Sequence, residues 1–249
     1  MKDSFNQSVR PINISQTAAY DAGLRSYMLS IYNYMGAALV ITGIVAMLAS
    51  NSQVFLNAMY IIEGSAIKGM KPLAWLVMLA PLGFAMALGL GMQRMSLAAT
   101  QASFWAFAFV MGLSLSSIFL TYTGTSVARV FFITAATFGS MSIYGYTTKR
   151  DLSGFGSFLM MGVIGLVIAS LVNIFLQSSA LQFALSVVGV LVFTGLTAYD
   201  TQKLKHIYYE MTAEGDRMAK TIIMGALTLY IDFINIFMSL INLLGDKRQ

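Results

Sequence analysis

Two aspartates stand where aspartates are costly. Asp232 lies in the middle of LTLYIDFINIFMSLINLL, among Ile231, Phe233, Ile234 and Ile236, and Asp200 closes the run VLVFTGLTAYDTQ. An aspartate at the centre of a membrane helix costs about 2.5–3.5 kcal/mol on insertion scales, so an ionisable group kept there is a functional group by default. The side chain is too short to reach the interface, as lysine and arginine do. Two more residues join the set by position. Arg94 ends the second apolar run, and Asn235 sits three residues after Asp232. On a helix that spacing puts Asn235 on the same face as Asp232 and adds an amide oxygen.

Carboxylates held close together share protons and bind cations. At about 4 Å and an effective dielectric of about 20, two of them repel by roughly 4 kcal/mol. The pair is therefore expected to hold one proton up to near-neutral pH. Proton, arginine and an entering cation would then compete for the same oxygens. Hard oxygen ligands suit Ca²⁺, which takes about 6–8 of them. Asp200 and Asp232, even with Asn235, supply a weak and transient Ca²⁺ site rather than a store.

The elements that must position these groups are membrane helices. Of the 249 residues, 57% are hydrophobic and 10% charged, against about 25% charged in soluble domains. A span needs roughly 20 mostly apolar residues. Seven stretches qualify: Tyr27–Ser50, Leu73–Gln93, Gln101–Thr121, Val127–Tyr146, Phe155–Gln177, Leu181–Leu204 and Ile222–Leu244. The fold class is an all-α polytopic membrane bundle of residues 27–245, preceded by a polar segment of residues 1–26. The longest polar connections are Asn51–Lys71 and Lys205–Thr221. Helix six is expected to run past Asp200 through Tyr208, with a turn near Gly215. At 1.5 Å per residue this leaves the two carboxylates about 3–9 Å apart in depth, within direct or single-water contact.

Charge sets the direction. With the N-terminus in the cytoplasm, Lys2, Arg10, Arg25, Arg94, Lys149, Arg150, Lys203, Lys205, Arg217 and Lys220 fall inside, and Lys68, Lys71, Arg129, Lys247 and Arg248 outside. That excess follows the positive-inside rule, and the net charge of +5 reads as orientation rather than nucleic-acid binding. The second and sixth spans then end on the same side, so Arg94 is expected at the depth of Asp200. Gly36, Gly43, Gly89, Gly91, Gly162, Gly165, Gly189 and Gly195 are expected at close helix contacts, where small residues let backbones approach.

Enzymatic chemistry finds little support. Gly112-Leu113-Ser114 is followed by Leu115, the only histidine is His206, and there is no cysteine. A serine nucleophile lacks a base in the spans, and zinc lacks ligands. The protein is read as no enzyme and as needing no cofactor.

Four segments carry a resemblance: FAFVMGLSLSSIF at Phe107–Phe119, GYTTKRDLS at Gly145–Ser153, AYDTQKLKHIY at Ala198–Tyr208, and LYIDFINIFMSLINLLG at Leu229–Gly245. They resemble the Bax inhibitor-1 family, also called the transmembrane Bax inhibitor motif family, with GYTTKRDLS most similar to bacterial members. The resemblance implies a last helix surrounded by the other six and a pH-sensitive Ca²⁺ leak. It implies a di-aspartyl sensor matching Asp200 and Asp232, with an arginine latch falling by spacing on Arg94. It further implies a bacterial inner membrane. Relatives are also described as inhibitors of cell death and partners of membrane proteases, so a non-conducting regulator bound to such a protease is the alternative. The Lys205–Thr221 loop is longer than the resemblance would give.

Overall fold

A computed structural model describes residues 14–63, 66–91, 94–211 and 215–248. Residues 1–13 of the expected polar segment, and Gln93 at the expected end of the second span, lie outside the described residues. The elements in order are α1 (Ile14–Ser50), α2 (Gln53–Met59), β1 (Tyr60–Glu63), β2 (Ala66–Met70), α3 (Pro72–Gly91), α4 (Leu97–Thr121), α5 (Gly124–Thr147), α6 (Ser153–Leu176), α7 (Ser179–Glu210) and α8 (Asp216–Leu244). Seven of the described helices are long and apolar enough to cross a membrane.

The seven spans fall where hydropathy puts them, and the connections hold more structure than expected. Helix α1 begins at Ile14, well before its apolar stretch. The Asn51–Lys71 connection folds into α2 and an antiparallel hairpin, in which Tyr60 pairs with Met70. The expected Lys205–Thr221 loop is mostly helix: α7 runs to Glu210, α8 starts at Asp216, and Gly215 turns the chain with φ 65°. Few residues but glycine take that conformation without strain.

The kind of polar group decides which helix is central. Of the spans, α6 is the most apolar and only 6% of its residues there are buried. Helix α8 carries Asp232, Asn235 and Asn242 within its span, along with Tyr230 and Ser239, and 61% of it is buried. Hydroxyls can bond back to their own helix, but lipid offers no partner to a carboxyl, so the helix that carries one in mid-span goes inside. Helix α8 packs against α7, α1, α5, α4 and α3, whereas α6 packs mainly along α7. The last helix is thus central, with α6 riding on α7 rather than completing the ring.

The end of α8 is clasped to the α4–α5 turn. Thr123 N donates to Asp246 O at 3.0 Å, Arg248 N to Thr121 O at 2.9 Å, and Asp246 N to Ser126 Oγ at 2.9 Å. Arg129 reaches Leu244 O at 2.9 Å and Asp246 Oδ2 at 3.0 Å. Exposed ion pairs contribute about 0–1 kcal/mol, so the backbone bonds carry the clasp.

Glycine is used at contacts, but not mainly at the expected ones. Gly36, Gly43, Gly89 and Gly165 face open space, while a side chain at Gly189 or Gly195 would strike Ser239 or Leu159. The tightest backbone approach is at Gly145, where a methyl would collide with the Ala198 carbonyl of α7. This crossing lies beside Asp200. Gly145→Ala is therefore predicted to destabilise the purified protein in detergent by about 1–3 kcal/mol, as overpacking typically does, which a lowered thermal midpoint would report. Gly139→Ala, with nothing within 4 Å, should leave it unchanged or higher.

Candidate functional site: the buried aspartate pair

Asp232 sits mid-way along the central helix and is 4% exposed; Asp200, on α7, is 9% exposed. Their carboxyl groups lie close enough to interact directly. Two carboxyl oxygens brought to hydrogen-bonding distance need a proton between them, because an ionised carboxylate only accepts. Asp232 Oδ2 is sealed from solvent and has no hydrogen-bond partner among the described residues.

Asp200 is held by its neighbours on α7. Thr201, fully buried, lies 3.0 Å from Ser142 on α5 through the two hydroxyl oxygens. Ser142 is in turn 2.5 Å from the Tyr32 hydroxyl on α1. This chain of three hydroxyls fixes the rotation of α7 between α1 and α5. Gln202 then clips the α5–α6 turn: its Oε1 accepts from Leu152 N at 2.9 Å and its Nε2 donates to Arg150 O at 2.8 Å. Lys205 Nζ donates to Tyr146 O at 3.0 Å and lies 5.3 Å above that ring. A cation on the last carbonyls of α5 also suits the negative end of the helix. The segments AYDTQKLK and GYTTKRDLS are thus one structural unit. In its turn, hydrogen bonds from Ser153, with N to Asp151 Oδ1 at 2.8 Å, hold the Asp151 carboxyl below the usual carboxylate range.

Asp232 is held from the other side. Tyr230, fully buried, packs edge-on against Phe107 at 5.3 Å, and its hydroxyl is 2.7 Å from Thr42 Oγ1. Thr42 donates its one proton to Ala108 O at 2.9 Å. Tyr230 must then be the donor to Thr42. This ties α8 to α1 and α4 two residues from the aspartate.

Arg94 is not brought to the pair. It is exposed in the α3–α4 turn, and among the described residues no ion pair joins it to Asp200. The reason is depth. Its neighbour Met95 accepts a hydrogen bond from Lys220 Nζ at 2.6 Å. That fixes the turn beside the start of α8, about 18 Å along the helix from Asp232. The cation whose charge is felt at Asp200 is Lys203, one turn on, with Nζ 5.8 Å above the Tyr199 ring. Asn235 is half-buried and donates Nδ2 to Ile231 O at 2.8 Å. It lines a cleft with Ser239 and Asn242. His206 is exposed on α7 rather than in a loop. Among the described residues no third carboxylate, histidine or cysteine joins the pair.

Sequence reading missed Tyr32, Ser142, Thr201, Gln202, Thr42 and Tyr230. Thr201 and Gln202 had a signal, being polar residues beside Asp200 within AYDTQ. Ser142 and Thr42 are small polar residues of a kind common in membrane helices, and nothing in their spacing pairs them.

The sequence is similar to those of known proteins. Residues 24–249 match the family described as inhibitor of apoptosis-promoting Bax1. The chain is 47% identical to a protein of Caulobacter vibrioides, over 92% of both chains. It is 47% identical to protein RP147 of Rickettsia prowazekii, over 94% of this chain and 95% of that one. It is 44% identical to the inner membrane protein YbhL of Escherichia coli K12, over 91% of this chain and 94% of that one. The matched residues run from the first span through the last and include both aspartates, the clipped α5–α6 turn and the central helix. The chain is a multi-pass membrane protein that belongs to the Bax inhibitor-1 family.

Proposed function

We propose that this protein is a pH-sensitive leak for Ca²⁺, gated at Asp200 and Asp232. The observation that carries the reading is the contact between two carboxyl groups inside an otherwise apolar bundle, one of them on the central helix with an unpartnered oxygen. Protons and hard cations compete for those oxygens. As pH rises the shared proton is released and cation occupancy of the pair increases; as pH falls the proton displaces the cation. The hydroxyl chain through Thr201 and the clip at Gln202 keep Asp200 against Asp232, so protonation acts on the α7–α8 contact. Arg94 serves as a latch only if the α3–α4 turn moves toward the pair.

The orientation proposed is N-terminus in the cytoplasm and C-terminus outside. Basic residues gather at the α3–α4, α5–α6 and α7–α8 turns, as the positive-inside rule requires of the cytoplasmic face. The membrane proposed is a bacterial inner membrane, from the description of the Escherichia coli relative.

Purified protein in liposomes loaded with a Ca²⁺ indicator should pass Ca²⁺ at a rate that changes with pH. Asp232→Asn should flatten that dependence, and Asp200→Asn should do the same. An unchanged pH response in Asp232→Asn overturns the sensor. Liposomes that stay tight at every pH overturn the leak and favour a regulator that binds another membrane protein, such as a membrane-anchored protease. Orientation is read separately: in bacteria, alkaline phosphatase fused after Gln249 should be active and green fluorescent protein fused there dark, and the opposite pattern refutes it.

A further inference from the structure

A second feature lies on the far side of the pair from the α7–α8 turn. A cleft of about 330 Å³ runs between α6, α7 and α8, apolar along α6 except at Ser170 and carrying its other polar groups on α7 and α8. On α8 it is lined by Asn235, Ser239 and Asn242, and on α7 by Gln182 and Ser186, with Phe193 beneath them. At 100° per residue, Gln182, Ser186 and Phe193 stand on the face of α7 that carries Asp200, and Asn235 and Ser239 on the face of α8 that carries Asp232. The cleft therefore leads from the C-terminal end of the bundle toward the pair. Asn235, its deepest amide, is only about 4.5 Å in rise from Asp232.

Its polar groups are not used up among themselves. Asn242 Oδ1 accepts from Tyr122 at 3.1 Å, and Ser186 turns back to Gln182 O at 2.9 Å. Asn235 spends its Nδ2 on Ile231 O, which leaves its Oδ1 without a donor among the described residues. Ser239 Oγ, packed against Gly189, likewise has no partner among them. Free oxygens at membrane depth are tolerated where they line a water-filled cavity. At about 30 Å³ per molecule the cleft has room for roughly ten waters.

We infer that this cleft is a hydrated vestibule through which cations and protons reach Asp232 from the C-terminal side, with Phe193 as the plug at its inner end. The inference rests on the leak reading for its purpose. Neutral amide and hydroxyl oxygens suit a hard cation shedding part of its water. Phe193 separates them from Asp200 by about two turns of α7.

The chain has no cysteine, so single cysteines can be read without background. Ser186→Cys, Ser239→Cys and the lipid-facing control Ile164→Cys would be reconstituted and treated with a cationic, membrane-impermeant thiosulfonate. A lipid-soluble maleimide reports whether each thiol is present and reactive. Ser239→Cys and Ser186→Cys should react with the cationic reagent roughly a hundredfold faster than Ile164→Cys, because charge is excluded from lipid. If both react only with the maleimide, as Ile164→Cys should, the cleft is filled by lipid and the vestibule is overturned. Where one cysteine variant does not fold, the other decides. For the plug, Asp232→Cys should become reactive toward the cationic reagent from the C-terminal side only when combined with Phe193→Ala; equal reactivity with and without Phe193→Ala overturns that role. None of these readouts needs flux, so tight liposomes with a reactive Ser239→Cys sink the leak alone, and a leak with an unreactive Ser239→Cys sinks the vestibule alone.

Discussion

A polar group inside a bilayer has no water to turn to, so it must find its partner within the protein. That constraint organises the whole molecule. The helix that carries a carboxyl and two amides along its span, α8, is drawn to the centre, and the most apolar, α6, is left against the lipid. The deepest polar groups then meet one another. Asp232 meets Asp200, Tyr230 meets Thr42, and Thr201 meets Ser142 and, through it, Tyr32. Each contact joins α7 or α8 to another helix, so the polar groups double as the cross-links of the bundle.

Most of these contacts close on themselves, and the aspartate pair does not. A hydroxyl both donates and accepts, so Tyr230, Thr42 and the Ala108 carbonyl form a satisfied chain. Two carboxyls in contact lack a proton when both are ionised, and even with one shared an acceptor is left over at Asp232. The other polar contacts are closed, and the pair keeps an open oxygen on the central helix. Under the proposed function, a change of occupant there would act at the α7–α8 contact.

Two regions of sequence that are distant along the chain form one structural unit beside the pair. Gln202 and Lys205 on α7 hold Arg150, Leu152 and Tyr146 at the end of α5 and in the turn after it. Gly145 lets that end of α5 come against the α7 backbone at Ala198. The close approach brings Ser142 to Thr201, and Thr201 fixes the residue beside it, Asp200. Arg94 has no such fitting. Lys220 holds its turn at the start of α8, so distance keeps the arginine and the pair apart.

The seven spans, the turn at Gly215 and the two misplaced aspartates were legible in the sequence alone. Hydropathy is a sum over consecutive residues, and the cost of a charge in lipid depends on its own position. Contact between Asp200 and Asp232 followed in outline, because both helices count back from one short turn. The partners of the pair were not legible. Whether Arg94 reaches Asp200 depends on where α3 stops relative to α8, and nothing local to either helix records that. Gly36 and Gly145 look alike in sequence, yet one faces open space and the other a backbone. Sequence by itself determined which groups had to be hidden from lipid. Only the tertiary structure decided which of them would hide together, because that depends on the rotation and depth of each helix against its neighbours.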